Sequence, residues 1–308
     1  MKITRLALRG VASIPDIECD FGGGAGGRPH DLIVVAGPPA SGKTRFCDLI
    51  LAALEVVAPY QGIVRASDWM ADPARGARVE LDLVLGDGGG DPPPTSTATA
   101  VVSFTGGGVS SALDRTVRRY LSRYDHDPAR GKREYFPEGR QRAWGARRDG
   151  LGAAEQSLLR SSKDPQKYSF VPRFLAELRT DPSRSDPFAA GLALLSPTVR
   201  YTPAPRTGDP TACFVDSSRS GVPYGELSSS EADAVLIAAT AAMIGLNHSL
   251  VILDRPELYV PSDRLVPWVR SLAQLGKDNQ WIVATSDPGL AAAVHRTQLV
   301  TLGQGRSA

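Results

Sequence analysis

The chain has 308 residues, 42% of them hydrophobic, and its 35 Lys and Arg against 33 Asp and Glu leave a net charge of +2. That length supports a full core with room for an insertion, and so balanced a charge selects no class of partner. The longest apolar stretch, Ala232–Ile244, falls short of the roughly 18 residues a membrane span needs, and no secretory leader is apparent. A transporter's membrane half is therefore excluded and a cytoplasmic location is expected.

In chain order, residues 22–30 form a Gly-rich loop, followed by an apolar run, Leu32–Ala36, that reads as a buried strand. Residues 37–44 then spell Gly37-Pro38-Pro39-Ala40-Ser41-Gly42-Lys43-Thr44, a complete G-x-x-x-x-G-K-[ST] phosphate loop. Arg45 to Leu54 continue with helical spacing. Strand, loop and helix are the context in which this pattern becomes a site. The glycines let backbone N–H groups turn inward around a polyphosphate, and the helix N-terminus adds favourable partial charge. Lys43 is expected to reach the β- and γ-phosphates and Thr44 to hold Mg²⁺. ATP and Mg²⁺ are thus the expected cofactors, with residues 37–45, Arg45 included, around the nucleotide.

Val79–Leu85 alternates like a half-buried strand. A Gly/Asp/Pro turn at Gly86–Pro94 and a returning strand at Thr97–Phe104 complete a hairpin. Residues 110–123 have helical spacing. Residues 114–148 are strongly basic: Arg115, Arg118, Arg119, Arg123, Arg130, Lys132, Arg133, Arg140, Arg142, Arg147 and Arg148 alternate with Tyr120, Tyr124, Tyr135, Phe136 and Trp144. Two readings stand for this stretch. It is a surface that tracks a nucleic-acid backbone and stacks on bases, or a solvated charged face or protein contact with aromatics packed beneath. Residues 151–195 read as mostly helical, interrupted by Pro165, Pro172, Pro182 and Pro187, with no long heptad run. Residues 203–210 form a returning loop.

Leu227-Ser228-Ser229-Ser230-Glu231 precedes an Ala-rich helix, and Leu250–Asp254 is an apolar strand ending in a carboxylate. Asp254 is expected beside Thr44, as the second Mg²⁺ residue. A helix over Asp263–Leu275, a strand at Gln280–Thr285, a last strand at Gln298–Leu302 and a six-residue tail complete the chain. The scattered cysteines, Cys19, Cys47 and Cys213, lack metal spacing and read as packing residues. The four histidines share no spacing either.

These motifs resemble, in order and spacing, those of ABC-type P-loop ATPases of the SMC, RecF and OLD-like group. Besides the phosphate loop and Leu250–Asp254, the similar segments are Met1–Gly10, Ile17–Phe21, the signature-like Leu227–Glu231, Asp254-Arg255-Pro256-Glu257-Leu258, and Gln280–Pro288. They cover residues 1–58 and 224–303. The resemblance implies an α/β P-loop NTPase, an ABC-ATPase-like head with an antiparallel β subdomain and a compact, mostly helical insertion. It implies an N-terminal lobe over 1–110, a basic insertion over 111–200 and a C-terminal lobe over 201–308. Ser228 and Ser230 would face a nucleotide held by a second subunit, so a homodimer or a related ATPase partner is implied. Long coiled-coil arms are excluded.

Three positions depart from the group. Its water-polarising glutamate corresponds to Arg255, its γ-phosphate-sensing histidine to Ser286, and its signature glycine to Ser230. Asp254 and Glu257 are the candidate catalytic carboxylates, although Glu257 lies two residues too late unless the backbone is shifted. Gln141 and Gln61 are candidates for the glutamine that links insertion and site. Slow ATP hydrolysis by a nucleotide-sandwich dimer is expected. It would serve a nucleic-acid-linked process such as DNA maintenance or anti-phage defence. The alternative is an ATP-dependent module that controls an effector protein.

Overall fold

A computed structural model describes residues 1–22, 28–60, 64–86, 97–140, 156–157, 159–203, 209, 211, 213–216 and 218–303. Most of the expected Gly-rich loop, the turn after residue 86, Gln61, Gln141, Arg142, Trp144, Arg147, Arg148, most of the 203–210 loop and most of the tail lie outside the described residues. The elements run β1 (Lys2–Arg9), β2 (Ile17–Asp20), β3 (Leu32–Ala36), α1 (Lys43–Val57), β4 (Ala77–Val84), β5 (Thr97–Thr105), β6 (Gly108–Ala112), α2 (Arg115–Leu121) and β7 (Arg133–Phe136). They continue α3 (Val171–Glu177), α4 (Pro182–Leu195), β8 (Arg200–Tyr201), β9 (Phe214–Val215), β10 (Ser220–Val222) and α5 (Ser229–Ile244). The last are β11 (Leu250–Asp254), α6 (Ser262–Leu272), β12 (Gln280–Thr285), α7 (Pro288–Ala292) and β13 (Leu299–Thr301).

A five-stranded sheet in the order β13-β3-β12-β11-β7 is parallel throughout. Parallel strands are covered on both faces, so they read as continuous apolar runs. Here Ile33, Val35, Leu250, Ile252, Ile282 and Ala284 face α1 and a second sheet. Val34, Val251, Leu253, Trp281 and Val283 face α3, α4, α5 and α6. The second sheet, β2-β1-β4-β5-β6, is antiparallel. Helix α1 therefore lies between two sheets, which is why eleven of its residues are buried. Helix α5 is buried nearly all round, as its Ala-rich composition permits.

Two local expectations change. The helix expected over 110–123 is shorter, because Gly108–Ala112 extends the β5 hairpin as β6. Asp114 then starts α2, its carboxylate accepting from the Thr116 and Val117 amides at 2.8 and 3.1 Å. Within the basic stretch, Arg133–Phe136 is the edge strand of the parallel sheet, paired with β11 from Leu250↔Arg133 to Leu253↔Phe136.

Candidate functional site at the carboxyl edge of the parallel sheet

The C-terminal ends of β3, β7, β11 and β12 converge on one edge of the sheet, the place where open α/β sheets take ligands. The phosphate loop leaves β3 and enters α1. Gly42 closes it with φ +93°, and an added Cβ would stand 3.1 Å from the Ser13 carbonyl. At Gly37 a Cβ would meet the Leu302 carbonyl and the Ser41 hydroxyl at 2.5 Å each. Both positions need glycine for the loop to curl.

Lys43 is buried and folds back over the loop, donating to the Gly37 and Pro38 carbonyls at 2.8 and 2.7 Å. Burial lowers its pKa, opposed by the negative charge of Glu257, with Arg255 adding to the fall and Asp254 to the opposition. Arg45 stands over the Trp69 ring at 4.4 Å and donates to the Asp68 carbonyl.

Asp254 is fully buried at the end of β11. The Thr44 hydroxyl donates to its Oδ2 at 2.7 Å, across 210 positions of sequence. The Tyr135 hydroxyl approaches the same oxygen at 3.4 Å. Oδ1 is buried with no hydrogen-bond partner. Burial pushes the Asp254 carboxyl up, the Thr44 bond draws it down, and the charge of Glu138 adds to the rise. An orphaned carboxylate oxygen beside a threonine hydroxyl fits Mg²⁺, which takes few protein oxygens and completes its shell with phosphate and water. Among the described residues no cluster of three His, Cys, Asp or Glu side chains offers an all-protein metal cage.

Beyond Asp254 the backbone does shift. Arg255 takes a left-handed conformation, φ +52°, which costs a non-glycine residue about 1–2 kcal/mol. The turn brings Glu257 against the end of β12, where its carboxylate accepts from Thr285 Oγ1 and the Ser286 amide, both at 2.9 Å. Arg255 itself turns to Glu138, 3.0 Å away. Glu138 is the second residue after β7 and was not singled out in the sequence. The available signal was its place beside Gln141, once β7 is recognised as a strand of the sheet.

The signature-like segment starts α5. Ser228 is its N-cap, in a reciprocal box with Glu231, and Ser228, Ser229 and Ser230 are all exposed. The Ser230 hydroxyl is engaged, donating to the Tyr259 carbonyl.

The basic stretch divides. Lys132, Arg133, Arg140, Tyr135 and Phe136 are buried, so they form no part of an exposed stacking surface. Arg133 pairs with Glu55 at 3.0 Å and lies 3.8 Å over the Tyr60 ring. Arg140 forms a bidentate pair with Asp233 at 2.6 and 3.0 Å. Arg115, Arg119 and Arg123 remain exposed.

No protein-family model matches the sequence, and no curated protein does. Solved structures do match in fold. An SMC head bound to the C-winged helix domain of ScpA is similar over 98% of both chains, with a TM-score of 0.60 and 14% identity. An SMC head domain from Thermotoga maritima covers 98% of this chain and 94% of its own, with a TM-score of 0.54 and 14% identity. An SMC head with an extended coiled coil, bound to the C-terminal domain of ScpA derived from Pyrococcus furiosus, covers 97% and 93%, with a TM-score of 0.61 and 14% identity. No helix among the described residues is long and apolar enough to cross a membrane. With the phosphate loop, the Thr44–Asp254 contact and the paired sheets in place, the chain has the fold of an SMC head domain.

Proposed function

We propose that this chain binds Mg-ATP at the phosphate loop, hydrolyses it slowly, and works as a dimer that closes around the nucleotide. The observation that carries the reading is the 2.7 Å bond from Thr44 to Asp254, with the second Asp254 oxygen buried and unpartnered. Two motifs remote in sequence form one oxygen-rich corner beside a buried lysine. Gly37 to Arg45 surround the polyphosphate, Lys43 neutralises it, and Thr44 and Asp254 hold Mg²⁺. When bound, the ion supplies charge neutralisation at the phosphates.

The exposed N-terminus of α5, with Ser228 and Ser230, supports the dimer. The partial positive charge at a helix N-terminus suits the γ-phosphate of a nucleotide on a second copy or a related ATPase subunit. Among the described residues, a nucleic-acid-linked role rests on the exposed Arg115, Arg119 and Arg123. Control of a protein partner gains from the two similar SMC heads that are bound to ScpA domains.

Sedimentation with and without Mg-ATP tests the dimer. The parent chain should shift from monomer to dimer when Mg-ATP is added. Ser228→Arg puts bulk and charge at the closing face, and should bind ATP like the parent yet remain monomeric. A Ser228→Arg protein that still dimerises with ATP would remove this face from the model.

A further inference from the structure

Hydrolysis of ATP needs a group that orients the attacking water and takes its proton. Resting on the proposal that this site binds Mg-ATP, we propose that Glu138, just past the strand that neighbours the one ending at Asp254, is that group.

The candidates are the carboxylates at the carboxyl edge of the sheet. Asp254 is fully buried and already bonded to Thr44. Both oxygens of Glu257 accept hydrogen bonds, one from a side chain and one from a backbone amide. That grip makes Glu257 an anchor joining the turn after β11 to the end of β12. Asp287 caps α7, accepting from the Leu290 amide at 2.8 Å. Asp48, whose charge also reaches Asp254, is paired with Lys163 at 2.6 Å. Among the described residues Glu138 remains, with half of its side chain exposed.

Its position follows from strand register. β7 and β11 are parallel neighbours, paired up to Phe136↔Leu253. Continuing both chains by two residues sets Glu138 level with Arg255. Glu138 thus stands one strand to the side of Arg255, the residue that follows Asp254. The 3.0 Å Arg255–Glu138 pair fixes the direction of the carboxylate. The backbone beneath it is held as well. The Tyr259 hydroxyl donates to the Glu138 carbonyl at 2.6 Å, and Arg140 donates to the Pro137 carbonyl at 3.1 Å. The negative charge of Glu138 also reaches Asp254, where it disfavours ionisation.

In the step, the water oxygen forms a bond to the γ-phosphorus as the bond from that phosphorus to the β,γ-bridging oxygen breaks. ADP departs with the electron pair of that bond. The Glu138 carboxylate accepts one proton from the water and returns it to phosphate or solvent.

The test compares the parent, Glu138→Gln, Glu138→Asp and Lys43→Ala. Three quantities are measured: Mg-ATP affinity, phosphate release, and the identity of the bound nucleotide after acid quench. Glu138→Gln should bind Mg-ATP within about three-fold of the parent, lose about 100-fold or more in phosphate release, and still hold ATP when the parent holds ADP. Glu138→Asp, which keeps the charge but shortens its reach, should fall between the two. If Glu138→Gln or Glu138→Asp binds Mg-ATP and turns over as fast as the parent, the proposal fails while the nucleotide site stands. A parent that binds Mg-ATP but releases phosphate no faster than Lys43→Ala also overturns it. A parent that does not bind Mg-ATP overturns the underlying reading instead.

Discussion

Replacing Lys43 by alanine is expected to abolish measurable ATP binding in a protein that still folds. Among the described residues the ammonium is the cation inside the curl of the loop, held by the Gly37 and Pro38 carbonyls at 2.8 and 2.7 Å. Hydrogen bonds to charged groups contribute about 1.5–3 kcal/mol each. Losing two such bonds to phosphate weakens affinity by at least about 10²-fold. The stability cost should be small, because burial already opposes the charge on this amine. Titration with a fluorescent ATP analogue, alongside a thermal melt, separates the two effects. Parental affinity in a folded Lys43→Ala protein would remove the phosphate-loop assignment.

The largest effect on stability is expected at Arg140. Its guanidinium is fully buried, grips Asp233 of α5 through two bonds, donates to the Asp254 carbonyl at 3.0 Å, and lies 4.3 Å over the Tyr259 ring. One side chain therefore ties the strand carrying Asp254 to the helix that begins at the signature-like segment. Arg140→Ala leaves the Asp233 carboxylate buried without its counter-charge, a loss of about 3–5 kcal/mol. At about 2–4 °C per kcal/mol for a chain somewhat shorter than this one, the melting temperature should fall by about 10 °C. Arg140→Met combined with Asp233→Leu removes both charges and should recover most of that loss. Equal melting temperatures for the parent and Arg140→Ala would mean that the pair contributes nothing. Nucleotide-driven motion of α5 relative to Asp254 would pass through this same contact.

The elements that carry the site were legible because their signals are local. The phosphate loop, the strand ending at Asp254 and the Ala-rich helix after Leu227–Glu231 each depend on residues adjacent in sequence. The structure then sets Thr44 against Asp254 as the motifs required. The β4–β5 hairpin was read within about two residues from alternation in its first strand and the Gly/Asp/Pro turn that follows. β7 was not legible. Its sequence, Arg133-Glu134-Tyr135-Phe136, is half charged, and charge argues against a strand buried along its whole length. Both charges are neutralised from far away: Arg133 by Glu55, and Glu134 by Arg160 and Lys167 at 3.0 and 3.1 Å. No periodicity reveals such partners, and without β7 there was no reason to look at Glu138. The basic stretch misled for the same reason, since several of its cations hold the core together. The left-handed turn at Arg255, which brings Glu257 to Thr285, is likewise invisible in an Arg-Pro-Glu sequence.

Calorimetric titration of the parent chain with ATP, in Mg²⁺ and then in excess chelator, tests the central claim most directly. Thr44 and Asp254 at 2.7 Å predict saturable binding of one ATP per chain that weakens when the ion is removed. Absence of binding, or binding indifferent to Mg²⁺, would contradict the assignment of this corner as a Mg-ATP site.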